Sequence, residues 1–216
     1  MIISGISLSL IPAMAQFNTV SSASDYYREE SVQAATKDKE TASDSTGSGK
    51  GVSENTGKSG ARGDVQRQMV VERYLSVSYP LPRIKVTSPY GYRKDPFTGK
   101  RKFHGGIDLQ ARGDKVLAMM AGTVVKVVQD KTSGKYVTLQ HGNCMISYCH
   151  LSKILVARGT AVRPRDAVGI TGSTGRSTGE HLHITCRLNG KSVDPAILFE
   201  HVRRVQQECV SALAEL

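Results

Sequence analysis

Between Pro80 and Glu200 the chain is cut into short apolar runs by Gly, Asn and Pro, and this punctuation is what most limits its fold. Short runs rich in Val, Ile, Tyr and Thr and bounded by turn formers read as strands, whereas an ordinary helix needs a longer, uninterrupted three-to-four-residue period. TVVKVVQ after Gly122 is β-branched and predicts a buried strand. Lys135 to His141 alternates after the Lys131 to Gly134 turn, Cys144 to His150 returns after Gly142-Asn143, and Asn189-Gly190 closes a later hairpin. Ala167 to Thr171 and His181 to Arg187 are further strands, separated by the Gly-rich loop from Gly172 to Gly179. The expectation is an all-β core of antiparallel sheets over residues 80–200.

A helix is expected on each side of this core. Asp64 suits an N-cap, and Val65, Met69, Val70 and Tyr74 share one side of a short helical lead-in over residues 65–79, which would pack on the outside. Asp194-Pro195 starts the second, since Asp suits the cap and Pro the first helical position. Ile197, Leu198, Val202, Val205, Cys209 and Leu213 then follow at helical spacing, so the C-terminal helix, continuing through residues 201–216, should close one end of the sheet.

Upstream the composition changes. Residues 16–64 are dominated by Ser, Thr, Gly, Ala, Lys, Asp and Glu, too polar to offset the entropy of ordering, and read as a flexible low-complexity linker. The opening MIISGISLSLIPAMAQ is an uncharged apolar stretch, too short to span a bilayer but suited to the core of a secretion signal over residues 1–15, with Ala13-Met14-Ala15 before the cleavage point. The reading is therefore an exported protein without a membrane span once the signal is removed. The absence of a basic n-region leaves two alternatives, a true start upstream or a buried apolar segment. No Cys lies near the cleavage point, which argues against a lipid anchor there.

The chain carries a formal net charge of +10, and the excess sits in the expected domain: Pro80 to Glu200 holds 19 Lys and Arg against 8 Asp and Glu. Such a field suits an anionic partner, whether nucleic acid, membrane surface or an anionic cell-wall polymer, and equally a solvated basic face. The cysteines Cys144, Cys149, Cys186 and Cys209 form no Cys-x-x-Cys pair, so no structural zinc knuckle is indicated. In an exported protein two of them can form a disulfide, whose pairing the spacing leaves open.

Chemistry concentrates in the histidines. In GEHLHITC, residues 179–186, strand alternation turns His181 and His183 to one face while Leu182 and Ile184 enter the core. Alone, this pair fits a solvated edge strand as well as a site. His104 adds weight, because it stands in HGGID with Asp108 four residues on. Zinc takes nitrogen and carboxylate ligands at about 2 Å and keeps one position open when catalytic, so His104, Asp108 and one of the later pair would supply three ligands. Gly105 and Gly106 would let the backbone fold tightly enough for both side chains to reach one ion.

The ordered set His104 to Asp108 (His-x-x-x-Asp), Tyr148 to Ser152 (Tyr-x-His-Leu-Ser) and Gly179 to His183 (Gly-x-His-Leu-His) resembles that of the lysostaphin/LytM-type zinc peptidases, which cut peptide bonds in peptidoglycan. YGYRKDPFTGK, GSTGRSTG and NGKSVDP extend the similarity over roughly Pro80 to Glu200. The resemblance implies antiparallel sheets forming a groove with zinc at its floor, His104, Asp108 and His183 as ligands, and His150 and His181 as metal-free catalytic residues. It further implies a peptidoglycan peptide substrate and action in the periplasm or cell wall. Zinc acidifies its water and polarises the scissile carbonyl, and a nearby imidazole can take the water's proton or bond the developing oxyanion. The same fold can instead serve as a non-hydrolytic wall-binding or activator module, though such modules typically lack a ligand and here every position is filled. A nucleic-acid-binding reading leaves the five-residue constellation unused, so no nucleic acid is expected as partner; no residue specifies an oligomeric state.

Several features drop out. Glu180 stands where the resembling family often has proline, and two histidines spaced by two on a strand exclude the helical His-Glu-x-x-His arrangement. By parity Cys149 should point away from His150 and Cys186 away from His183, into the core or a disulfide. The Gly-rich loop lacks the Gly-Lys-Ser/Thr ending of a P-loop and reads as a wall of the groove. His141 and His201 match no ligand position. Arg93, Lys94, Lys100, Arg101 and Lys102 read as a solvated face, available to anionic wall polymers.

Overall fold

The computed structural model describes residues 57–216, so the expected signal sequence and most of the expected linker lie outside the described residues. Helix α1 (Gly57–Leu75) precedes thirteen strands, and helix α2 (Ala196–Ala214) follows them. Alternation and turn chemistry place the central hairpins where expected: β6 (Gly122–Asp130), β7 (Gly134–His141) and β8 (Cys144–Leu151) pair consecutively and antiparallel. Strand β12 (His181–Leu188) then inserts between β8 and β4 (Ile107–Gln110). The main sheet runs β1-β4-β12-β8-β7-β6-β10, with β1 at Val86–Ser88 and β10 at Ala161–Val162, and β13 (Lys191–Val193) pairs with β12. Asn189 (φ 50°) and Gly190 (φ 78°) form the turn between β12 and β13, as an Asn-Gly hairpin requires.

Two smaller sheets complete the core. β5 (Lys115–Leu117), β11 (Ala167–Ile170) and β9 (Lys153–Ile154) form one, and the hairpin β2 (Gly91–Lys94) with β3 (Arg101–His104) forms the other. Leu182, Ile184, Cys186 and Leu188 of β12 are buried in alternation, packed with Leu109, Leu139, Ile146 and Tyr148. The opposite face of β12 and β4 is thereby left free to carry His181, His183 and Asp108.

Some expectations shift. β6 is not a fully buried strand: Val124 is inaccessible but Val128 is 41% exposed, because β6 is followed only by the two-residue edge strand β10 and its outer face meets solvent. Helix α1 begins seven residues before the expected Asp64 cap, so residues 57–64 continue the helix that composition alone assigned to linker. Val65 and Met69 are exposed, and only Val70 and Tyr74 of the expected stripe lean on the core. What holds α1 is tertiary: it packs beside α2, with Arg73 paired to Glu208 at 2.5 Å. Helix α2 buries Leu198, Val202, Val205 and Cys209, whereas Leu213 near its end is exposed. The cap of α2 falls on Pro195 rather than on the expected Asp194, one residue later, although Asp194 Oδ1 still accepts the Ala196 N–H at 2.9 Å.

Candidate metal centre and active-site groove

His104 ends β3 and Asp108 lies in β4, joined by Gly105-Gly106, while β12 brings His183 directly opposite Asp108 in the antiparallel register. Directly opposed residues share a face, so the pairing itself sets the two side chains against each other. His183 Nδ1 lies 2.6 Å from Asp108 Oδ1, and His104 Nε2 lies 3.1 Å from His183 Nδ1 and 3.2 Å from Asp108 Oδ1. Among the described residues these three form the one His/Cys/Asp/Glu group whose ligand atoms all fall within 4.8 Å of one another.

The tautomers fit a metal. His104 Nδ1 donates to the Pro89 carbonyl at 2.8 Å, which leaves Nε2 with a lone pair facing the carboxylate 3.2 Å away. Two acceptors at that distance call for a cation between them, and a ring whose other nitrogen donates to a carbonyl is the usual form of a ligating histidine. The donor set of two imidazoles and one carboxylate suits zinc. Burial disfavours the charged form of Asp108, but the adjoining imidazoles of His104 and His183 outweigh it and hold the carboxyl well below the usual range.

The two glycines are not equivalent. Nothing stands near Gly105, but a Cβ on Gly106 would collide with the Ile184 carbonyl and lie 2.6 Å from His183 Cε1. Gly106 is required for the close approach of β4 to β12, and Gly105 is not.

His150 reaches the same groove by an unexpected route. The β7–β8 register slips between Lys135 and Val137, and His150 takes φ 62° in the left-handed region. Regular alternation after buried Tyr148 would send Cys149 to the groove face and His150 to the core; the bulge turns His150 back. Cys149 indeed stands opposite His183 in register, which corrects the parity expectation that it points away from the site. Burial pushes the Cys149 thiol up to about 12, so it is a neutral thiol at neutral pH. All four cysteines are buried and free, and Cys144 and Cys186 touch at 3.5 Å between sulfurs.

The β6–β7 turn and the Gly-rich loop fix the ring of His150: its amide donates to Ser133 O at 2.8 Å and its Nδ1 to Thr174 O at 2.7 Å. Burial lowers its pKa, keeping the imidazole neutral with Nε2 as an acceptor. His181 is held alike, Nδ1 donating to Gly179 O at 2.8 Å, and its Nε2 stands 3.6 Å from Asp108 Oδ1. The rings of His150 and His181 lie 4.8 Å apart between centroids. Glu180 turns away, accepting from Gly113 N–H and Thr171 Oγ1. His141 and His201 are buried elsewhere, His141 Nδ1 donating to Ala121 O at 2.9 Å.

Sequence reasoning missed a clamp across the groove. Asp95 Oδ1 accepts from Phe97 N–H (3.0 Å) and Thr98 N–H (2.9 Å), and both of its oxygens bind Arg176 Nη2 at 2.9 and 3.1 Å. Burial opposes the charge on Asp95, yet these donors hold its carboxyl below the usual range. Arg176 also stacks over Phe97 at 4.4 Å, so the β2–β3 loop is tied to the Gly-rich loop. The Asp-Pro step was the available signal, since Asp commonly accepts the amides of the turn it begins. Arg93, assigned to a solvated face, instead lines the groove with Nη2 3.6 Å from Asp108 Oδ2.

A zinc-peptidase-like groove in an antiparallel fold is the class these features define. Residues 102–195 match the profile of peptidase family M23, so this segment of the chain is similar to that family. An uncharacterized metalloprotease of Haemophilus influenzae is 42% identical over 122 residues, covering 54% of this chain and 26% of that protein. The peptidoglycan DD-endopeptidase ShyA of Vibrio cholerae is 37% identical over 120 residues, covering 54% of this chain and 28% of its own. The chain thus spans about a quarter of the length of these relatives. The catalytic domain of the antimicrobial peptidase lysostaphin from Staphylococcus simulans superposes with a TM-score of 0.50 at 29% identity, over 54% of this chain and 92% of that domain.

Proposed function

We propose that the domain is a zinc-dependent endopeptidase that hydrolyses peptide bonds of peptidoglycan, with His104, Asp108 and His183 as ligands and His150 and His181 as catalytic residues. The observation that carries this reading is the convergence of five side chains from β3, β4, β8 and β12 on one groove, with three ligand atoms clustered and two free Nε2 atoms beside them. The similarity to an uncharacterized metalloprotease and to a peptidoglycan DD-endopeptidase supports the reaction and substrate.

Zinc at the three ligands would polarise the scissile carbonyl and acidify a water. The protein's own residues handle the proton. His150 and His181 each have Nδ1–H committed to a backbone carbonyl, so each Nε2 is an acceptor ready to take the water's proton. The imidazolium so formed faces the groove, where it can return that proton to the leaving nitrogen, giving a free carboxylate and a free amine. The basic domain and the expected secretion signal support action in the cell envelope; no described helix is long and apolar enough to cross a membrane.

The test is digestion of purified peptidoglycan, fragments read by mass spectrometry, alongside zinc content per chain. Wild type should hold about one zinc and release cleaved stem peptides or crosslinks, and a chelator should stop it. His183→Ala should lose metal and activity together, whereas His181→Ala and His150→Ala should keep zinc and lose about a hundredfold or more in rate. Binding of peptidoglycan by wild type with zinc bound and no cleavage would favour the non-hydrolytic module instead.

A further inference from the structure

Arg93 is a cation held in the groove with its donors largely unspent. A guanidinium offers five N–H donors. Here Nη1 reaches only the Lys94 carbonyl, at a long 3.4 Å, Nη2 stands 3.6 Å from Asp108 Oδ2, and the buried Nε has no partner among the described residues. The side chain is 29% exposed on the groove that holds His104, Asp108 and His183. The other groove arginine differs: Arg176 is bound by both oxygens of Asp95 and stacked on Phe97, so its charge is already matched. Lys102, the third groove cation, is also directed to Asp95, at 3.9 Å.

An anion fits beside Arg93 better than anything the protein supplies. Asp108 Oδ1 is engaged with His183 and His104, and Oδ2 meets Arg93 through one nitrogen only, at 3.6 Å, so the carboxylate does not supply the two parallel bonds that a planar fork can make. Where the leaving residue is not extended at its carboxyl, as at a crosslink, the substrate places one carboxylate at a fixed, short distance from the scissile amide: the free α-carboxylate on the carbon that bears the leaving nitrogen. Side-chain carboxylates lie farther off on rotatable stems.

Resting on the endopeptidase reading above, we infer that Arg93 is a specificity residue that binds a free α-carboxylate on the leaving residue of the substrate. The domain therefore selects crosslinks whose leaving residue is a free acid and discriminates against the same bond when that carboxylate is masked as an amide. The contact is a charge-assisted hydrogen bond made beside the reacting bond, so losing it costs transition-state binding as well as affinity.

The test uses a synthetic crosslinked stem-peptide dimer made in two forms, with a free acid or a primary carboxamide on the leaving residue. Zinc-loaded full chain should show a kcat/KM for the acid about tenfold to a hundredfold above that for the amide. Arg93→Gln should bring the acid-to-amide ratio close to one, and Arg93→Lys, which keeps the charge but not the fork, should leave an intermediate ratio. A role confined to supporting Asp108 would lower both substrates in proportion, keep the ratio and reduce zinc content; that result overturns the inference. Equal cleavage of acid and amide by wild type overturns it without any variant, as does digestion of peptidoglycan with neither dimer cut. Failure of wild type to digest peptidoglycan at all strikes instead at the endopeptidase reading.

Discussion

Replacing Gly106 by Ala adds one methyl group, and the structure says where it goes. The new Cβ would lie 2.6 Å from His183 Cε1 and 2.7 Å from its Nε2, against ordinary carbon contacts of about 3.5 Å. Relief requires a relative shift of about 1 Å. The Ile184 carbonyl, struck by the same methyl, belongs to the β12–β4 ladder, where Ile184 faces Ile107, so the backbone cannot retreat without loosening that pairing. The imidazole is the softer partner, and it moves. With His183 as a ligand in the proposed site, a displacement of about 1 Å exceeds the roughly 0.2 Å such geometry tolerates, so zinc affinity should fall by at least the ten- to a hundredfold typical of disturbed supporting residues. The overpacking itself should cost about 1–3 kcal/mol of stability. Gly105→Ala is the control, because nothing lies within 4 Å of the Cβ it would add. Competition with a chromogenic zinc chelator gives the affinities, and urea unfolding of the metal-free proteins gives the stabilities. Equal zinc affinity in the two variants would refute the argument that β4 and β12 touch through Gly106.

Three further outcomes are expected. Asp95→Asn removes the charge that Arg176 grips, so amide hydrogen exchange should quicken in residues 95–98 and 173–178 together, while the β6–β7–β8 hairpins stay protected; uncoupled changes would argue against a clamp. The four buried thiols should react with a thiol reagent only on unfolding, so prompt labelling of native protein would contradict their burial. Burial lowers the pKa of His141, and burial with Arg204 lowers that of His201, both from an ordinary 6.5. Since the unfolded chain protonates first, their contribution is fully present above about pH 6.5 and is lost as pH falls toward the depressed folded values. Urea unfolding at pH 7.5, 6 and 5 should show this decline. His141→Asn, which keeps a donor for the Ala121 carbonyl, should make it shallower.

The sequence by itself determined most of the strands and which residues carry chemistry. Turn chemistry is local, so Gly142-Asn143, Asn189-Gly190 and Asp194-Pro195 mark the ends of β7, β12 and the start of α2 without knowledge of the rest. Strand parity is local too, and it put His181 and His183 on the face opposite Leu182 and Ile184. Tertiary structure decided what depends on pairing between distant segments. Only the register of β4 against β12 sets Asp108 opposite His183 and makes Gly106, not Gly105, indispensable. Regular alternation from buried Tyr148 leaves Cys149 on the groove face, and only the slip between β7 and β8 swings His150 back to join it. The extent of α1 goes beyond what its Gly- and Ser-rich composition suggested, and the roles of Arg93, Asp95 and Arg176 followed from which charges met across the groove. Local propensity acts over a few residues, whereas register, bulges and ion pairs are fixed by contacts between segments far apart in the chain, which no single stretch of sequence encodes.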